Sequence, residues 1–199
     1  YVSYNDLPHR KNPPEGWLAT ANHRTSGGEF PHPISYSWLS MYRHSRIVQQ
    51  LTKLTHAGIE DFTALQIDVH SLQADMLLPK VLAYQFKDKR AEEAAELLSG
   101  WNHEVRAESP GAAVYEVFIV ELNYLLVEPL LGENIAFYFN ALLSRHTIED
   151  IILDRPDSII WEKAAESLGF GPGSGVEAII EAALARAVRF LERELGRNR

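Results

Sequence analysis

Apolar residues recur at helical spacing along most of this chain, but only after about position 34. Trp38, Leu39, Tyr42, Ile47, Leu51 and Leu54 outline one face of a helix predicted over about 35–55. His56-Ala57-Gly58 ends it, with Gly58 read as a C-cap. A second helix is expected to start near Glu60 and to carry Phe62, Leu65, Ile67, Val69, Leu72, Met76 and Leu77. Pro79 then either opens the next helix or kinks this one. An Ala- and Glu-rich helix over 89–98 precedes the turn Ser99-Gly100.

Ser109-Pro110 opens the most apolar stretch, predicted as a helix over 109–131 and ended by Gly132. It is apolar nearly all round, which places it at the centre of a bundle. Shorter helices are expected near 133–144, 147–154 and 157–168, with Thr147-x-x-Asp150 a loose N-terminal signal. Gly169 to Gly175 reads as a flexible connector. The last helix, about 174–195, opens with Ser174-x-x-Glu177, a capping box that would satisfy unpaired backbone N–H groups. Val176, Ile179, Ala183, Leu184, Ala187, Leu191 and Leu195 give it a packing face.

Residues 1–34 differ in texture. They are rich in Pro, Gly, His and Asn and read as strands and loops, with Trp17-Leu18-Ala19-Thr20-Ala21 the best short strand. The expected fold class is therefore mainly α: a strand/loop segment over 1–34, then a helical region over 35–199.

Composition narrows what such a chain can do. At 199 residues and 46% hydrophobic, it can bury a substantial core. The net charge of -8, with Lys and Arg scattered, argues against nucleic acid as a partner, because neutralising phosphates needs clustered basic residues. The absence of cysteine removes disulfides and thiolate chemistry. The longest apolar stretch, Val114 to Leu131, is interrupted by Glu116, Glu121, Asn123, Glu128 and Pro129, so no membrane span is expected. Tyr1 to Asp6 does not read as a signal peptide, and the lack of an initiator Met is expected of a processed product or an excised piece.

Few residues offer chemistry. The eight histidines, at 9, 23, 32, 44, 56, 70, 103 and 146, form no His-x-x-x-His or His-x-x-Glu-His pattern, so no metal site is assigned. Asp68 lies in an otherwise apolar helical pattern, where a carboxylate needs hydrogen-bond donors or a cation. A structural anchor is favoured there over a catalytic role. Gly169-Phe170-Gly171-Pro172-Gly173-Ser174-Gly175 lacks the Lys-Ser/Thr of a phosphate loop. Asn22 follows the short strand and precedes a loop with Gly27-Gly28. A neutral amide at a strand end suits oxyanion stabilisation, although most such residues only make turns.

Taken in order, several segments resemble the penicillin amidase family of N-terminal nucleophile hydrolases. Leu7-Pro8, Asn12-Pro13 and Gly16-Trp17-Leu18-Ala19-Thr20-Ala21-Asn22 are similar to its Pro/Asn-Pro, Gly-aromatic-apolar and Ala-Asn stretches. Phe30-Pro31 resembles the aromatic-Pro that follows, and Arg43-His44-Ser45-Arg46-Ile47 the Arg-x-x-Arg-Ile helix. Gln66-x-Asp68-x-x-Ser71-x-x-Ala74 with Pro79, Leu98-x-x-Trp101 and Ser109 with Ala112-Ala113 continue the match. Asn102 departs from the usual Trp-Asp-Gly turn.

The resemblance implies a helical piece of a larger αββα enzyme, cut autocatalytically from one precursor into two chains. In that family the large chain begins with a Ser, Thr or Cys whose α-amino group is the general base. Tyr1 is not such a residue, and the match places the nucleophile well upstream, so the isolated chain is expected to be inactive. Its implied partners are the remainder of the large chain, the small chain and a small-molecule amide, either a penicillin side-chain amide or an acyl-homoserine lactone. By the same resemblance Asn22 corresponds to the oxyanion-hole Asn and Arg43 to the supporting active-site Arg. Arg46 is expected to pair with an acidic partner instead, because residues three apart point about 60° apart on a helix. Many members bind calcium, but His32-Pro33-Ile34-Ser35 offers no carboxylate, and no cofactor is assigned. The family setting implies a periplasmic or secreted location. The alternative is a non-catalytic helical binding or scaffold domain whose Asn and Arg have lost their use.

Overall fold

Helices carry this protein because its apolar residues are spaced for them and its caps stop them. The structure, a computed structural model, describes residues 2–35, 38–140, 152, 155–171 and 173–196. Thr147, Asp150 and the helix expected around them lie outside these, as does most of the segment between 141 and 154. The described helices are α1 (Tyr42–Leu51), α2 (Ile59–Gln66), α3 (Leu72–Val81), α4 (Lys89–Ser99), α5 (Pro110–Leu131), α6 (Ile135–Asn140), α7 (Ile159–Ser167) and α8 (Gly175–Leu195). Among the described residues the β structure is one isolated antiparallel bridge, His70 to Glu104. The fold is mainly α.

The chain forms two compact units, Tyr1–Asp68 and Val69–Arg199. The change of texture near residue 34 is local in character, whereas this division reflects packing.

In the first unit the expected strand Trp17–Ala21 is absent. The segment keeps a strand's alternation of faces: Trp17 and Ala19 are half-buried, Leu18 and Thr20 exposed, Ala21 buried. A strand exists only where a neighbour takes its ladder hydrogen bonds, and no described residue does so here. Helix α1 is shorter than its apolar stripe. Leu39 N–H donates to the Asn22 carbonyl at 2.9 Å, which commits the residues before α1 to the Asn22 loop. Gly58 does not end α1. It is the N-cap of α2, and its N–H donates to Asp61 Oδ2 at 2.8 Å.

The single long helix expected from Glu60 is two helices. Ile67 to Ser71 leave the helical path: Val105 N–H donates to Val69 O at 2.9 Å and Ser71 N–H to His103 O at 2.8 Å. Those bonds replace helical ones, and Ser71 Oγ restarts the helix by accepting from Ala74 N–H at 3.2 Å. Asp68 therefore follows a helix rather than lying within one. Pro79 sits inside α3 and starts no new helix.

The core lies in the second unit. Helix α5 packs on α8, α7 and α4, and α8 also packs on α4 and α7. Tyr115, Phe118, Leu122 and Leu126 of α5 are buried with Leu77, Trp161, Ile179 and Leu184. Ser109 caps α5 by accepting from Ala112 N–H at 3.2 Å. Gly111 is required by a close approach, since a Cβ there would stand 2.6 Å from Trp101 Cγ. Asn123, buried on this apolar helix, accepts from Tyr138 Oη at 3.0 Å. Gly169, at φ +80°, closes α7: its N–H reaches Glu166 O and Phe170 N–H reaches Ala165 O, both at 3.0 Å. This pair of bonds is a Schellman cap, so the glycine-rich connector opens with defined structure. The Ser174 capping box does not form: Ser174 is already helical at φ -74°, ψ -22°, and its side chain caps nothing.

Candidate active site

Loop residues 21–23 and the first turn of α1 meet within the first unit. Asn22 is not at a strand end. It occupies a left-handed turn at φ 60°, a conformation Asn tolerates better than most residues. The turn is tied by several backbone bonds. Ala21 O accepts from Arg43 Nη2 at 3.1 Å, Ala21 N–H donates to His23 Nδ1 at 3.4 Å, and Asn22 O accepts from Leu39 N–H at 2.9 Å.

Arg43 Nη2 also donates to Asn22 Oδ1 at 2.9 Å. A guanidinium can only donate, so it fixes which end of the amide faces it. The oxygen is committed to Arg43, and the Nδ2 donors remain for another acceptor. Both side chains are exposed, so an incoming ligand can reach them.

Arg46, one turn along α1, does something else. Its Nε donates to Asp68 Oδ1 at 2.9 Å and its Nη2 to Asp68 Oδ2 at 2.8 Å. Both side chains are mostly buried, at 23% and 19% exposure. The parallel two-point geometry matches guanidinium to carboxylate. The structure thus brings Asn22 together with Arg43, and Asp68 together with Arg46.

Two residues escaped the sequence argument. The rings of His23 and His44 stack at 3.7 Å with planes 25° apart. His23 is buried, and burial, reinforced by the nearby His44, pulls its pKa below the ordinary histidine value. His44 Nδ1 is buried and has no hydrogen-bond partner. The sequence offers only their adjacency to Asn22 and Arg43, which by itself does not show that the rings meet.

A second histidine group lies in the second unit. Asp75 of α3 accepts from His70 Nε2 at 2.8 Å and from His103 Nδ1 at 2.5 Å. Burial raises the Asp75 pKa, but the bonds from His103 and His70 outweigh it and hold the carboxyl below its ordinary value. His103 is at φ 62°, and Trp101 packs edge-on against its ring. The group fastens the 101–105 loop to α3. Among the described residues no set of three or more His, Asp or Glu side chains is arranged to hold a metal ion. Nor is any described helix long and apolar enough to cross a membrane.

The family model for penicillin amidase matches residues 1–199. The chain is similar to the acyl-homoserine lactone acylase QuiP of Pseudomonas aeruginosa, with 30% identity over 211 residues, 96% of this chain and 24% of that protein. It is similar to QuiP of Pseudomonas fluorescens, with 28% identity over 214 residues, 96% of this chain and 26% of that protein. It also resembles the penicillin acylase 2 proenzyme of a Pseudomonas species, with 25% identity over 127 residues, 63% of this chain and 16% of that protein. The chain spans about a quarter or less of the length of these relatives.

Proposed function

This chain belongs to the penicillin amidase family, and from that premise we propose that it supplies the oxyanion-stabilising part of an amidohydrolase acting on linear amides. The observation that carries this reading is the Arg43–Asn22 hydrogen bond, which turns Oδ1 inward and presents Nδ2.

The reaction then runs as follows in this reading. A nucleophile from another part of the protein adds to the amide carbonyl carbon and gives its proton to the α-amine beside it. The π pair moves to the carbonyl oxygen. Asn22 Nδ2 donates to that oxyanion, a neutral donor placed where charge develops. The C–N bond breaks as the amine takes the proton, and water later releases the acyl group. Arg43 holds the amide in this pose. Its positive charge also disfavours protonation of an α-amine nearby, keeping the base neutral.

The substrate is a penicillin side-chain amide or an acyl-homoserine lactone, in keeping with the names of the relatives. The rest of the large chain and the small chain complete the site, in a periplasmic or secreted enzyme. The test uses the full-length, matured protein with a penicillin and with N-acyl-homoserine lactones of several chain lengths, following release of the free amine. Release proportional to enzyme, and lost in Asn22→Ala, is the expected result. No release from either class would refute the reading and favour a non-catalytic helical binding module.

A further inference from the structure

Two consecutive loop residues meet two consecutive helix residues in register. Asn22 bonds Arg43, and His23 stacks on His44. The first contact is exposed and polar. The second is the neighbouring rung, with His23 buried and His44 Nδ1 enclosed without a partner. A buried imidazole nitrogen with no hydrogen bond is unfavourable, and a plain hydrocarbon ring would avoid that cost.

We propose that His23 and His44 are positioning residues for the amide hydrolysis: their stacked pair fixes the left-handed turn at Asn22, and so the direction in which Nδ2 donates. This rests on the oxyanion role of Asn22 given above.

The geometry supplies the coupling. His23 Nδ1 accepts from Ala21 N–H, and Ala21 O accepts from Arg43. Both backbone groups of Ala21, the residue before Asn22, are thereby tied to the same two rungs. Rotation of the His23 ring would release the Ala21 N–H and free the turn. A displacement of about 1 Å at a reacting group can lower a rate by about 10²-fold.

Burial favours the uncharged form of the His23 ring. The charged side chains on the two elements that carry it are Arg24, Arg43 and Arg46, all cationic, and the Asp68 carboxylate is engaged by Arg46. The influences on His23 are its burial and the neighbouring His44, and both oppose a proton. A proton gained in acid would place charge in the stack and part the rings.

The test compares His44→Leu, His44→Phe and His23→Gln with wild type in the matured full-length enzyme. In His44→Leu the expected result is a fall in kcat of roughly tenfold or more with KM within about twofold, the signature of a misplaced oxyanion donor. His44→Phe, which keeps a planar ring, recovers part of that loss. His23→Gln follows His44→Leu. Unchanged kcat in both His44→Leu and His23→Gln would overturn the proposal, as would a His44→Phe variant with kcat no higher than that of His44→Leu. Should the variants fail to mature, histidine-selective NMR of the wild-type enzyme decides: His23 titrating at or above 6.5 sinks the proposal, and titration below it supports it. Asn22→Ala, measured alongside, separates the two levels. If it retains turnover, the oxyanion reading falls. If it loses turnover while the histidine variants do not, only the histidine proposal falls.

Discussion

Arg46 and Asp68 form a two-point ion pair, with Nε on Oδ1 at 2.9 Å and Nη2 on Oδ2 at 2.8 Å, whereas Arg43 three residues earlier reaches Asn22. One helix thus presents two arginines with separate tasks. The Asp68 pair lies mostly out of solvent, so its loss should register as stability.

Asp68→Ala should destabilise by about 1–3 kcal/mol, because Arg46 donors lose their acceptor. Arg46→Lys should act in the same direction, since an ammonium cannot reproduce the planar fork. Thermal melting of the full enzyme measures both. An unchanged Tm with lost turnover would make Asp68 a functional residue instead.

Asn22→Ala should lower kcat by about 10²-fold or more, the scale of removing one oxyanion donor. Arg43→Lys should also impair kcat, because it replaces the planar guanidinium that holds Oδ1. Tm should change little in either, as both side chains are exposed. Steady-state kinetics on correctly matured enzyme decides, and wild-type turnover in Asn22→Ala would remove the assignment.

Asp75 predicts a pH dependence. Its folded pKa lies below its ordinary value of 3.8, so the folded chain binds this proton more weakly than the unfolded chain. Its contribution is fully present above the ordinary value and is lost as pH falls through the lowered one. Asp75→Asn should therefore flatten the fall in stability at acid pH. Denaturant midpoints between about pH 5 and pH 2 measure it.

Gly111→Ala should destabilise by about 1–3 kcal/mol, because the added methyl would overlap Trp101. Alanine is otherwise a better helix former than glycine, so the sign is informative. A raised Tm would show that Trp101 can move aside.

The isolated chain should show no hydrolysis of chromogenic phenylacetyl or fatty-acyl amides, since in the proposed reaction the nucleophile comes from elsewhere. Turnover proportional to the concentration of the purified chain would contradict this.

Periodicity and local chemistry made much of this protein legible in advance. The helices at 89–99 and 110–131 follow from apolar spacing and from caps such as Ser109-Pro110, which act within a few residues. The separation of Arg43 from Arg46 follows from helix geometry alone. Other features depend on groups distant in sequence. The break at Ile67–Ser71 exists because residues 103–105 take hydrogen bonds that a helix would have kept within itself. Trp17–Ala21 has a strand's alternation but not its ladder, since pairing requires a second segment. Asn22 and Arg43 were separately visible as residue types, but the choice of Oδ1 over Nδ2 for the guanidinium is made only when loop and helix meet. The His23–His44 stack was not anticipated for the same reason: a ring contact between residues 21 apart leaves no periodic trace, and burial of an imidazole is decided by what surrounds it.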